Sequence, residues 1–88
     1  MRYLVIVDMQ HDFVDGALGT PEARQIVAGV TELARGFEGE VVFTLDTHGD
    51  DYLQTQEGRR LPVTHCLRGT HGWELMDGLE RVRAERQA

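Results

Sequence analysis

Residues 45–66, LDTHGDDYLQTQEGRRLPVTHC, hold most of the side chains in this 88-residue sequence that could do chemistry. Asp46 and His48 stand two residues apart, so in an extended segment both side chains face the same way. A carboxylate oxygen and an imidazole nitrogen on one face suit a first-row divalent ion such as zinc. His65, returning after a 17-residue excursion, would complete a three-ligand facial set with open positions. Such sets suit catalysis, because substrate or water fills the vacancies. Asp and His are also common in polar loops, so the spacing by itself leaves a solvated loop as the alternative. Glu57 is either an extra ligand or, on the simpler reading, a solvated loop acid.

Cys66 invites a nucleophilic role, but a catalytic thiol needs a helix N-terminus or a cationic partner to lower its pKa. Its neighbour His65 points the opposite way in an extended segment, and a small buried hydrophobe is the expected role. His11 and His71 have no partner pattern and read as surface or loop residues. Phe13 would wall a crevice or pack as core. Asp8 closes an apolar run, where it is either a solvated strand-ending acid or a general base in a partly dry pocket.

These residues need elements to place them. YLVIVDM, residues 3–9, reads as a strand buried on both faces. Thr20-Pro21-Glu22 is a helix start: a hydroxyl cap, proline at the first position and an acid at the positive dipole end. Ala23, Ile26, Val27, Val30, Leu33 and Ala34 follow at helical spacing, and Gly36 supplies the stop. EVVFTLD, residues 40–46, is a second strand, which makes a βαβ unit. Residues 47–72 look irregular, and a second helix is expected from Trp73, with Met76, Leu79 and Val82 on its inner side and ERVRAERQA as a charged tail. Ligands of open parallel sheets lie beyond the carboxyl ends of the strands. Asp8 and the Asp46–His48 pair are therefore expected to share one crevice.

Composition narrows the classes. A net charge of −6 with dispersed acids disfavours nucleic acid and anionic membrane surfaces. No apolar run has the length of a membrane span, and no signal peptide is recognisable, so a cytoplasmic location is expected. A single cysteine forms no internal disulfide. All nine basic residues are arginine, so the sequence holds no lysine. Two parallel strands would leave both edges raw, and the sequence is expected to be one incomplete α/β domain, residues 1–88, lacking further strands.

VIVDMQHDFVDGALGTPEA and VVFTLDTHGDDYLQTQEGRRLPVTHCLRGTHGWEL, in that order, resemble the isochorismatase-like cysteine hydrolases, and within them the nicotinamidase-related branch. The likeness runs to about Leu79 and rests on DMQxDF, DTH, and HC followed by GTxGWEL. It implies a Rossmann-like, three-layer α/β fold with a six-stranded parallel sheet, of which the N-terminal βαβ portion is present. It also implies an aspartate–lysine–cysteine triad that hydrolyses a small amide. Asp8 matches the aspartate, Phe13 an aromatic lining the substrate pocket, and Asp46, His48 and His65 the ligands of zinc or a similar divalent ion. Cys66 does not match the nucleophile, which follows the fourth strand. His11 stands where the family usually has a small polar residue.

The resemblance thus implies the front of a nicotinamidase-like amidohydrolase, with no amidase activity expected of this chain alone, since the family's lysine and nucleophilic cysteine are not in it. Two other readings stand beside it: metal-assisted hydrolysis without a thiol, and a non-catalytic metal-binding or interaction fragment. The last would need a homo-oligomer or a completing chain to supply strands.

Overall fold

In the computed structural model, which describes residues 1–87, two strands run parallel: β1 (Tyr3–Val7) and β2 (Glu40–Thr44). The register pairs Tyr3 with Glu40 and Val7 with Thr44. Ala88, the last residue of the expected domain, lies outside the described residues. Four helices accompany the strands: α1 (His11–Val14), α2 (Pro21–Gly36), α3 (Gln56–Arg60) and α4 (Asp77–Gln87). Tyr52–Gln54 and His71–Trp73 form single 3₁₀ turns.

The crossover helix starts as its sequence predicts. Thr20 Oγ1 accepts from the Ala23 amide at 3.0 Å, and Pro21 opens the first turn. Its C-terminus is held from a distance: Arg86 of α4 donates to the carbonyls of Ala34 at 3.3 Å and Gly39 at 2.6 Å. A cation there also meets the negative end of the α2 dipole. The charged segment is helical through Gln87, and Arg86 braces the crossover from it.

Ile6, Ala34, Leu79 and Val82 form the buried core, with Leu4, Met9, Val30, Val41, Phe43 and Met76 packed against it. The core lies between one face of the sheet and helices α2 and α4. This corrects the expectation of strands buried on both faces. Alternation puts Leu4 and Ile6 inward, while Tyr3, Val5, Val7 and Val42 face outward and are exposed. The stripe on α2 is also narrower than expected, since Ile26 and Leu33 are 52% and 54% exposed. A sheet of two strands is not wide enough to cover so broad a helix face.

Residues 47–72 are more ordered than their composition suggests, containing the Tyr52–Gln54 turn and α3. Thr55 caps α3 by accepting from the Gly58 amide at 3.0 Å. Gly58 is required here, because a Cβ would lie 1.9 Å from the Tyr52 carbonyl oxygen. The last helix begins at Asp77 rather than Trp73, which belongs to the preceding 3₁₀ turn.

Candidate metal centre

The carboxyl ends of β1 and β2 are tied together before any donor is placed. Asp8, just past β1, takes a left-handed backbone (φ 54°), which is uncommon outside glycine. Thr44 holds it there: its Oγ1 accepts from the Asp8 amide at 3.0 Å and donates to Asp8 Oδ1 at 2.8 Å. Strained backbone of this kind clusters at functional sites and persists where its surroundings fix it. Two residues on, the fully buried Gln10 grips the Asp46 peptide from both sides. Its Nε2 donates to the Asp46 carbonyl at 2.9 Å and its Oε1 accepts from the Asp46 amide at 3.0 Å.

From that pinned peptide the Asp46 side chain reaches two histidines. Asp46 Oδ2 lies 3.0 Å from His48 Nε2 and 3.6 Å from His65 Nε2. Glu57, carried in by α3, places Oε2 3.6 Å from His48 Nε2. One donor atom from each of Asp46, His48, Glu57 and His65 falls within 4.8 Å of all the others, a group able to hold a metal ion. A bridge between His48 and Leu67 fixes the second half of the group to the first, with the His48 amide donating to the Cys66 carbonyl at 2.9 Å.

The donor chemistry fits a divalent cation. His65 Nδ1 lies 2.7 Å from the Val63 carbonyl, which can only accept, so Nδ1 carries a proton and Nε2 is the nitrogen turned to the group. Two imidazoles and two carboxylates are the ligand types that zinc takes. Tyr52 backs both rings edge-on, at 4.6 Å from His48 and 5.1 Å from His65 between centroids. Burial raises its phenol pKa, with the Glu57 and Asp46 charges adding to the effect.

Asp46, His48 and His65, singled out by spacing, are thus brought together, and Glu57, exposed on α3, stands beside them. Phe13 packs its ring edge against His65 at 5.4 Å between centroids. Asp8 sits at the same end of the sheet, hydrogen-bonded to Thr44, two residues before Asp46. Cys66 is fully buried, and burial pushes its thiol up to about 12, helped by the Asp12, Asp46 and Asp8 charges. That burial matches the packing role expected of it. His11 overturns its expectation as a surface residue: it is 6% exposed, with Nδ1 3.1 Å from Asp15 and Nε2 3.0 Å from Asp77. His71, exposed as expected, stacks on it at 4.0 Å.

Gln10, Thr44 and Tyr52 help to hold these residues. Gln10 falls within DMQxDF, whereas Thr44 and Tyr52 carry no periodic signal in the sequence, and α3 has a local one in the Thr55 cap ahead of Glu57. A larger cavity of about 770 Å³ lies elsewhere, along the outer edge of β2 against α4, and none of the four donors lines it. Among the described residues, no helix is long and apolar enough to cross a membrane.

An isochorismatase domain model matches residues 2–86. Among solved structures, a nicotinamidase/pyrazinamidase from Bacillus subtilis superposes with a TM-score of 0.81 at 33% identity, covering 97% of this chain and 49% of that one. The pyrazinamidase of Pyrococcus horikoshii in complex with zinc gives 0.71 at 37% identity, covering 84% of this chain and 44% of that one. N-carbamoylsarcosine amidase from Thermoplasma acidophilum gives 0.68 at 32%, covering 88% and 44%. No curated protein sequence matches. The chain spans about half the length of the solved structures it matches.

Proposed function

The chain belongs to the isochorismatase domain family, and on that premise we propose that it forms part of a nicotinamidase-like hydrolase that cleaves the C–N bond of a small amide. The observation that carries this reading is the convergence of Asp46, His48, Glu57 and His65 within 4.8 Å, at the sheet end where Asp8 stands. Asp8 is the base. It takes the proton from a cysteine thiol, the thiolate attacks the amide carbonyl, and the same proton passes to the departing amine as the C–N bond breaks. Water then releases the acid from the thioester.

Neither the thiol nor the accompanying lysine is among these 88 residues, since the one cysteine is the buried Cys66 and every basic residue is arginine. Asp46, His48 and His65 would hold zinc, with Glu57 beside them. A zinc ion bound there would supply Lewis acidity to the site. Phe13 supplies an apolar wall next to that position. The Thr44 hydroxyl fixes the Asp8 carboxylate, so the proton is taken and returned at one place.

The test is a chimera in which this chain replaces the matched half of the Bacillus subtilis enzyme. Ammonia release from nicotinamide is expected, and Asp8→Ala should abolish it. A folded, zinc-loaded chimera without turnover would overturn the amidase reading. The 88-residue chain alone is expected to release no ammonia, and turnover lost in Asp8→Ala would contradict that. A second reading, a non-catalytic metal-binding fragment, draws support from one contrast: the donor set is complete in this chain and the triad is not. It predicts metal binding by the chain with an inert chimera.

A further inference from the structure

The Asp12 carboxylate reaches across the molecule to a backbone amide. Its Oδ2 accepts from the Cys66 amide at 2.7 Å, a contact spanning 54 residues. Cys66 is the second non-glycine residue with a left-handed backbone (φ 51°), and it immediately follows the donor His65. Its backbone is held at both ends, with the amide on Asp12 and the carbonyl on the His48 amide. The direction in which the His65 ring leaves the chain depends on that turn.

Gly72 supplies an independent observation. A Cβ at Gly72 would fall 2.2 Å from Asp12 Oδ2 and 2.4 Å from Oδ1. Its backbone is otherwise ordinary, since the left-handed glycines are Gly39 and Gly69. The bare position at Gly72 therefore serves the Asp12 carboxylate rather than a special turn.

We propose that Asp12 is a positioning residue for the metal group: it fixes the left-handed turn at Cys66, and so aims His65 Nε2 at Asp46, with Gly72 kept bare to admit it. This rests on the metal-binding reading above. Asp12 touches neither metal nor substrate, and acts as the outer partners of metal ligands do, by orienting a ligand whose loss of aim weakens binding.

Cobalt(II) titration of the 88-residue chain tests it, since the visible spectrum of the bound ion reports ligand geometry and needs no activity. Asp12→Ala is expected to weaken cobalt affinity by about 10-fold or more, in the range typical of outer-shell partners, and to change the spectrum. Asp12→Asn keeps an acceptor oxygen and should remain within about threefold of the parent chain. Gly72→Ala should reproduce the Asp12→Ala loss with the carboxylate still present, and the two changes combined should fall short of additive. If Asp12→Ala does not fold by circular dichroism, Gly72→Ala decides the matter. Parent affinity and spectrum in either folded variant overturn the proposal, as does an equal loss in Asp12→Asn. No cobalt binding by the parent chain overturns the metal reading itself and takes this inference with it, a pattern distinct from binding that the variants leave unchanged.

Discussion

Cys66 and His11 show what single residues reveal and conceal. A lone cysteine beside a histidine is legible as packing, and a thiol pushed up to about 12 by burial stays neutral across the physiological range. Native chain is therefore expected to resist a disulfide-exchange reagent at about pH 8, below that raised pKa, until denaturant is added. Stoichiometric labelling within minutes under native conditions would contradict this. The partners of His11 include one far off in sequence, and only the fold brings Asp77 to it. Burial lowers its pKa, but hydrogen bonds and charge from Asp15 and Asp77 outweigh that, so the folded value is raised above the ordinary 6.5. The sign follows. The imidazolium stabilises the fold fully below the unfolded pKa, and the contribution is lost as pH rises through the folded pKa. Asp77 is 86% exposed on its side chain, so solvent screening limits the effect to below about 1 kcal/mol. Melting temperatures at about pH 6 and about pH 8, either side of the ordinary histidine range, should differ more in the parent chain than in His11→Asn, with the parent favoured at the lower pH.

At the scale of elements, β1 and β2 are legible as short apolar runs, and α2 by its helical period and its cap. The short helix α3 is not, since five residues cannot display a helical repeat. What signals it is local chemistry, the Thr55 cap and the bare Gly58. Two glycine substitutions separate these cases. Gly58→Ala drives a Cβ into the Tyr52 carbonyl, which is backbone and cannot swing aside. A cost of about 1–3 kcal/mol is expected from such overpacking, together with weaker metal binding as Glu57 shifts. Gly29 lies inside α2, and a methyl group added there would meet nothing within 4 Å. Gly29→Ala should stabilise the chain by about 0.5–1 kcal/mol through helix propensity alone. Urea unfolding of both variants checks the pair. Equal effects would mean that α3 is not packed as described.

For the molecule as a whole, the strands' unbroken apolar character is legible but its consequence is not. Runs such as Tyr3–Val7 belong to sheets covered on both faces, and here helices α2 and α4 cover one. Leu4 and Ile6 are taken into the core, while Val5 at 53% and Val7 at 62% exposure stand beside Val42 and Tyr3 on the other side. Singly exposed apolar residues are ordinary, but contiguous ones on a sheet face with free strand edges favour association. The metal group lies at the carboxyl ends of the strands, and its donors come from the segments after β2, so the open face can be altered without touching them. The weight-average mass of the 88-residue chain in sedimentation equilibrium is therefore expected to rise with concentration. Charges placed at Val5→Lys and Val7→Glu should suppress that rise and leave cobalt affinity unchanged. A parent chain that stays monomeric throughout would show that this face is tolerated in water. An affinity lost along with association would instead tie the donor group to contacts between copies of the chain, because the substitutions reach none of its ligands directly.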